Sequence, residues 1–146
     1  MDTYQDIEVS NYIRGDFDSI FEHYSGDIDW RLLKSIAYNF SNLEPYVDGG
    51  LFNIPSRLYF EYDGKDPLDP SDNTATMVRI IRDWWDRLYM VEDKDKIYYI
   101  ILAFKIKSYN IEAITEISTN FKELFGYFSA GMMFEIMRIV DIMVIM

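Results

Sequence analysis

One stretch of the 146-residue chain has a hydrophobic pattern that strongly indicates an α-helix. Between residues 74 and 91, apolar side chains recur at alternating steps of four and three residues, and five charged residues lie between them. That spacing places the apolar side chains on one face of a helix and leaves charges of opposite sign one turn apart on the other face. We therefore predict a helix that begins near Thr74 and packs through Met77, Ile81, Trp84, Trp85, Leu88 and Val91.

Capping residues and chain breakers predict further helices on both sides of this one. Ser10 is a candidate N-cap for a first helix, although Gly15 favours a start at Asp16. Glycine closes helices in the left-handed conformation, and proline cannot continue them. The resulting predictions are a helix from Ser10 or Asp16 to Gly26, one from Asp27 or Asp29 to Pro45, one from Asn110 to Gly126, and a largely buried one from Phe128 to Met146.

Two segments have patterns that fit more than one structure. Residues 58–62 fit either an edge strand or a short turn of helix, and the proline-containing residues 63–72 are predicted to be an irregular loop. Residues 97–106 fit either a strand or a buried helix, and we prefer the helix because no well-patterned partner strand is present. We predict an all-α bundle of five to six helices, with at most a short extended segment near residues 57–62. The alternative is an α+β fold.

The composition indicates one compact domain that covers residues 1–146. Hydrophobic residues make up 49% of the chain and aromatic residues 17%, which is enough to form a real core. The chain has no cysteine, so disulfides and thiolate chemistry are excluded. The acidic N-terminus has no apolar run of the signal-peptide type, and no stretch has the charge-free length of a membrane span. We expect a cytoplasmic protein without a membrane partner.

The net charge of −11 is distributed unevenly along the chain. Residues 1–75 contain 15 acidic and 5 basic residues, whereas residues 76–146 contain 10 acidic and 9 basic residues. Such a field repels nucleic acid and anionic membranes, and it accelerates association with a basic protein. The charge therefore predicts a basic protein partner, unless it serves only to keep the chain soluble.

Motifs for catalysis, cofactors and metals are absent from the sequence. His23 is the only histidine and has no cysteine or nucleophile motif to accompany it. Asp63, Asp66, Asp69 and Asp72 recur every third residue, but Lys65, Pro67 and Leu68 occupy positions where a calcium-binding EF-hand loop needs oxygen ligands or glycine. We predict no catalytic residue, no metal and no cofactor, and hence a chain that is not an enzyme.

Aromatic residues lie beside carboxylates from Tyr59 to Asp66. Tyr59, Phe60 and Tyr62 alternate with or precede Glu61, Asp63 and Asp66. Aromatic rings are favoured anchors of protein interfaces, and a rim of carboxylates attracts a cationic partner. The stretch is therefore a candidate contact surface, with the alternative that its rings point into the core.

Several local matches make the chain similar to the colicin and pyocin nuclease immunity proteins, which are small acidic four-helix proteins that bind and neutralise a DNase toxin. Val9-Ser10-Asn11-Tyr12 with Asp16-Phe17 resembles the opening of that family's first helix, and an acidic second helix follows. Leu58-Tyr59-Phe60, an acidic loop with Ser71, and Val78-Ile81-Trp84 resemble its tyrosine-pair turn, acidic loop and tryptophan-bearing last helix. The resemblance covers roughly residues 9–90. It implies specificity residues at Asp27, Asp29, Trp30 and Lys34, and an anchor formed by Tyr59, Phe60 and Asp63.

Together these observations predict an acidic protein-binding inhibitor. The first hypothesis is an immunity or antitoxin protein that occludes a basic toxin domain, such as a nuclease. The alternative is a nucleic-acid mimic of the anti-CRISPR or anti-restriction type, whose carboxylates imitate phosphates and block a DNA-binding protein. The candidate contact residues are Asp27, Asp29, Trp30, Lys34, Tyr59, Phe60, Glu61, Tyr62, Asp63 and Asp66.

Overall fold

The computed structural model describes residues 15–141, and this part of the chain is all-α. The α-helices are α1 (Asp18–Ser25), α2 (Trp30–Ser41), α3 (Ser56–Glu61), α4 (Pro70–Arg87), α5 (Asp93–Lys105), α6 (Ile111–Ile117) and α7 (Ala130–Asp141), with 3-10 helices at Gly50–Phe52 and Phe121–Gly126. No strand occurs between residues 15 and 141. The all-α prediction is confirmed, while the predicted N-cap Ser10 lies outside the described residues.

These residues form two compact units. Unit 1 comprises residues 15–79 and unit 2 comprises residues 80–141, so the boundary falls within α4. Each unit has its own buried apolar side chains, including Leu33, Ile36 and Tyr59 in unit 1 and Trp84 and Tyr99 in unit 2. The expectation of a single domain stays a prediction.

Unit 1 begins with two packed helices whose ends follow the local sequence. Helix α1 is closed by Gly26, which has a φ of 60°. Asp29 is the N-cap of α2, and its Oδ1 accepts a hydrogen bond of 3.0 Å from the backbone nitrogen of Arg31. The prediction that α2 continues to Pro45 is wrong. Asn42 and Leu43 adopt left-handed conformations with φ of 56° and 59°, and asparagine tolerates this conformation well, so the helix ends at Ser41.

The segment around Tyr59 is a helix, which resolves the ambiguity of residues 58–62. Helix α4 begins at Pro70, four residues before the predicted start at Thr74. The Oδ1 atom of Asp69 accepts a hydrogen bond of 3.0 Å from Ser71 N, and proline is favoured at the first helical position because its missing N–H is not needed there. The predicted irregular loop is therefore shorter than residues 63–72.

Unit 2 is arranged around α5, a helix that is buried along most of its length. The preference for a helix at residues 97–106 is confirmed over all but its last residue. The predicted continuous helix from Asn110 to Gly126 is wrong, because Ser118 is extended and separates α6 from the second 3-10 helix. The carbonyl of Ser118 accepts a hydrogen bond of 2.7 Å from the buried hydroxyl of Tyr99, and its Oγ accepts one of 3.0 Å from Asn120 N. Both bonds stabilise the break.

Helix α7 is buried on one face only, between Ala130 and Asp141. Met133, Ile136 and Ile139 are fully buried, whereas Phe134 is 61% exposed. The C-terminal helix is therefore less buried than predicted over the residues that the structure describes. None of the helices between residues 15 and 141 has the length and apolar content needed to cross a lipid bilayer.

Candidate functional site

The acidic loop, residues 62–69, is fixed to the start of α4 by one carboxylate. Asp72 Oδ2 accepts hydrogen bonds of 2.8 Å from both Lys65 N and Asp66 N, and it also accepts one from the hydroxyl of Tyr59. Burial opposes ionisation of Asp72, but these hydrogen bonds and the charge of Arg79 together lower its pKa. The loop is thus held by an ionised carboxylate from its own C-terminal side.

A fully buried asparagine ties the acidic loop to a second loop. Asn73 Oδ1 accepts a hydrogen bond of 2.8 Å from Phe52 N, and its Nδ2 donates to Gly49 O at 2.8 Å and to Pro67 O at 3.0 Å. Gly49 and Phe52 therefore lie beside the acidic loop. All these polar groups are paired, as burial requires.

Close packing leaves little freedom for the same loop. A Cβ atom built on Gly64 would lie 2.1 Å from Cε1 of Tyr59, and one built on Gly50 would lie 1.9 Å from the carbonyl oxygen of Pro67. The ring of Phe60 packs edge-on against that of Tyr59, with 5.8 Å between the ring centroids. Arg79 Nε also donates to the carbonyl of Tyr62 at 2.8 Å. The acidic loop has, in effect, one conformation in this structure.

The outer side of these two loops combines exposed apolar side chains with carboxylates. Phe60 is 55% exposed, Leu68 48% and Tyr46 80%. We use the name loop surface for the exposed residues of the two loops and of the end of α3, which belong to residues 44–48, Phe60, Glu61, Asp63 and residues 65–69. Its exposed acids are Glu44, Asp48, Glu61, Asp63, Asp66 and Asp69, and its one base is Lys65.

The predicted contact residues of the 57–66 stretch differ in their accessibility. Phe60, Glu61, Asp63 and Asp66 are exposed, and Phe60 and Asp66 both contact Tyr59. Tyr62 is half-buried. Tyr59 is fully buried, and burial together with the neighbouring Asp72 and Asp66 raises its pKa. In this conformation the ring of Tyr59 supports Phe60 and the loop and does not reach solvent.

The four predicted specificity residues near α2 also differ in how far they are exposed to solvent. Asp27 is exposed and Trp30 is half-buried. Asp29 forms an ion pair of 2.7 Å with Arg31, and the hydrogen bonds from Arg31 lower its pKa. Lys34 is 1% exposed, and its Nζ lies 2.9 Å from Asp18 Oδ1, so this lysine joins α2 to α1 inside unit 1.

Sequence reasoning missed the residues that hold the loop surface in place. The EF-hand comparison includes Asp72 and Leu68 only as positions of a calcium loop, and no motif points to Asn73 or Tyr46. A signal for Asp72 and Asn73 exists, because both closely follow Pro70, and proline is favoured in the first turn of a helix, where side-chain acceptors commonly bind free backbone N–H groups. No periodic signal marks Leu68, which lies between two prolines.

No group of three or more acidic or histidine side chains between residues 15 and 141 is arranged to hold a metal ion. His23 is exposed, and its ring contacts that of Tyr24 edge-on at 4.7 Å. The predicted absence of metal, cofactor and catalysis stays a prediction.

The fold and the loop surface define the chain as an all-α protein with a well-ordered acidic and aromatic loop. No protein-family model matches the chain, and no solved structure matches it significantly. It is 26% identical over 93 residues to membrane-bound lytic murein transglycosylase F of two Vibrio cholerae O1 strains. That match covers 60% of this chain but 18% of the transglycosylase, so the chain spans less than a fifth of the length of these relatives.

Proposed function

We propose that the chain is an acidic protein-binding inhibitor of the immunity or antitoxin type, which neutralises a basic toxin domain of the nuclease class by covering it. The observation that carries this proposal is the loop surface, where Phe60 and Leu68 are exposed among carboxylates on a loop fixed by Asp72 and Asn73. The resemblance to nuclease immunity proteins supports the same function. The proposed site of action is the cytoplasm, with neither membrane nor nucleic acid as a direct partner.

Order and charge both favour binding by this surface. A loop that is already fixed loses little conformational entropy when a partner covers it, so more of the contact energy appears as affinity. Between residues 15 and 79 there are 12 acidic and 5 basic residues, which gives unit 1 a net charge of −7. This charge speeds the encounter with a basic domain, while Phe60 and Leu68 supply the apolar contact that carboxylates cannot.

The test is direct binding of the purified chain to purified basic nuclease domains, beginning with any toxin encoded beside its gene, together with an assay of DNA cleavage. We expect a one-to-one complex at low salt in which cleavage stops. Phe60→Ala combined with Leu68→Ala should weaken the complex by about 30-fold or more, as loss of a central apolar contact does. Tyr127→Ala is the matched control, because Tyr127 is 67% exposed but belongs to unit 2. Absence of any complex at low salt would overturn the proposal.

The exposed carboxylates Glu61, Asp63, Asp66 and Asp69 favour a second candidate, the nucleic-acid mimic. In that case the partner is a DNA-binding or defence protein, and the carboxylates occupy positions that phosphates take in its usual complex. Affinity would then depend on many acids and hardly at all on Phe60 and Leu68. The same double alanine variant therefore separates the two candidates.

The partial match to murein transglycosylase F supports a competing assignment as a cell-wall enzyme, which can be tested independently. Purified murein incubated with the chain should keep its turbidity if the chain is a binding protein. Clearance of murein, abolished by substitution of a single carboxylate without loss of stability, would overturn the proposal that the chain acts by binding alone.

A further inference from the structure

Unit 2 contains a cleft of about 580 Å³. The residues that line it are distant along the sequence from those of the loop surface. The cleft lies between the start of α5, the second 3-10 helix and α7. All of the residues that line it belong to residues 90–137, so unit 2 forms it alone. Its volume is in the range of sites that hold one large side chain or a short peptide.

A continuous row of aromatic rings forms one wall of the cleft. Tyr98 stacks on Phe121 with 4.6 Å between ring centroids and 21° between ring planes. Phe121 contacts Phe125 edge-on at 5.8 Å, and Phe125 contacts Phe134 at 5.5 Å. Phe134 is 61% exposed at the end of the row. The wall presents ring faces and edges that are already fixed by their neighbours.

Two acids and two bases line the cleft, and the acid Asp95 lies close to Tyr98 at one end of the aromatic wall. Burial raises the pKa of the Tyr98 hydroxyl, and the charges of Asp141 and Asp95 raise it further, so both carboxylates act on the ring. Asp95 lines the cleft and is half-buried. Glu92 also lines it, but its carboxylate lies 3.4 Å from the Nζ of Lys94. Lys94 and Lys122 are the two bases of the lining, and both oppose its acids.

We propose that this cleft binds an arginine side chain of a basic protein segment. The guanidinium would stack on the ring of Tyr98 and pair with Asp95, because a cation over an aromatic face beside a carboxylate satisfies both its charge and its planar surface. An apolar residue next to that arginine would contact Phe134. The inference rests on the proposed function in one respect, namely that the partner is basic, and it adds a second contact to that partner.

Binding of two short peptides to the full chain tests the inference by NMR. The probes are acetyl-Leu-Arg-Leu-Arg-amide and acetyl-Leu-Glu-Leu-Glu-amide. We expect the arginine peptide alone to shift the resonances of residues 90–98 and 119–137. Asp95→Asn should weaken its binding by about tenfold or more, and high salt should weaken it as well. Phe134→Ala should also weaken it without loss of stability, because Phe134 is largely exposed.

Two further variants make the result specific. Lys122→Gln should strengthen binding of the arginine peptide, because it removes a like charge from the cleft. Glu116→Gln is the matched control, since Glu116 is an exposed acid of α6 that does not line the cleft, and it should leave binding unchanged. Preferential binding of the glutamate peptide, or of an N-acetylglucosamine oligomer on the same aromatic wall, would overturn the inference. So would an unchanged affinity in both Asp95→Asn and Phe134→Ala.

The inference about the cleft and the proposed inhibitor function can be disproved independently of each other. A nuclease complex that is weakened by the Phe60 and Leu68 double variant but unaffected by Asp95→Asn and Phe134→Ala would overturn only the inference about the cleft. Arginine-peptide binding at the cleft without a complex with any basic nuclease domain would overturn only the inhibitor function.

Discussion

The hydroxyl of Tyr59 donates a hydrogen bond to Asp72, and the same carboxylate oxygen accepts the backbone N–H groups of Lys65 and Asp66. Tyr59 is fully buried, so this bond connects the core of unit 1 to the acidic loop. This oxygen thus contributes three of the hydrogen bonds that hold the loop carrying Asp63 and Asp66. Stability of unit 1 and geometry of the loop surface are therefore linked.

Replacement of Tyr59 by phenylalanine tests that link. Tyr59→Phe keeps the ring but removes the donor to Asp72 and to the carbonyl of Asp66, which lies 3.0 Å from the hydroxyl oxygen. We expect the free energy of unfolding to fall by about 1–2 kcal/mol, as for other hydrogen bonds to a charged acceptor. Urea denaturation measures the change. Tyr46→Phe is the control, because Tyr46 is 80% exposed, and an equal loss there would contradict the assignment.

The lowered pKa of Asp72 predicts a specific dependence of stability on pH. Because the carboxyl has a lower pKa in the folded chain than its ordinary value of 3.8, its ionised form stabilises the fold above that value. This contribution is lost as the pH falls from the ordinary pKa through the folded one. Asp72→Asn should therefore be less stable than the parent chain at neutral pH, and the difference should shrink as the pH falls below 3.8. Urea denaturation across this range measures it, and a deficit that stays constant would contradict the prediction.

Gly64 and Gly126 form a matched pair for testing how closely the loop packs. Gly64→Ala places a methyl group against the ring of Tyr59, whereas a Cβ on Gly126 meets no atom within 4 Å. We expect Gly64→Ala to destabilise the chain by about 1–3 kcal/mol, because the core must shift to accept the methyl group. Gly126→Ala should change stability by about 0.5 kcal/mol at most. Thermal unfolding compares the two, and similar melting temperatures would show that the loop yields easily.

The sequence predicts the long elements of this fold but not the contacts that order its loops. The helix around Met77 and Trp84 is visible because its apolar stripe, from Met77 to Val91 in the sequence, spans about four turns. Helix α3 has only six residues, too few for a period to show which of its rings are buried. For that reason Tyr59 and Phe60, adjacent in sequence and similar in chemistry, could not be assigned to core and surface before the structure placed them.

Tertiary contacts account for the other differences. The helix predicted across Ser118 has the right apolar spacing, but the hydroxyl of Tyr99 binds the carbonyl of Ser118 from a distant part of the chain. Lysine is rarely buried, so the sequence alone would place Lys34 on the exposed face of its helix. The approach of Asp18 from α1 offsets the cost of burying this lysine, and no local pattern contains that information.

The buried ion pair between Lys34 and Asp18 supports a final prediction about unit 1. The side chain of Lys34 is 1% exposed and that of Asp18 28%, so the lysine is the more costly of the two to leave without its partner's charge. Asp18→Ala should lower the free energy of unfolding by about 1–3 kcal/mol. Lys34→Met should cost less, about 1 kcal/mol or under, because methionine fills a similar volume and Asp18 retains contact with water.

Two further measurements provide a control for these stability changes and test whether Lys34 takes part in binding. Glu22→Ala removes an exposed acid from the same helix α1 and should change stability by about 0.5 kcal/mol at most. Because Lys34 is buried, Lys34→Met should also leave affinity for a basic nuclease domain unchanged, measured by calorimetry at a temperature where both chains are folded. A large loss of affinity in folded Lys34→Met would contradict this prediction and would support the specificity role that the resemblance implies for Lys34.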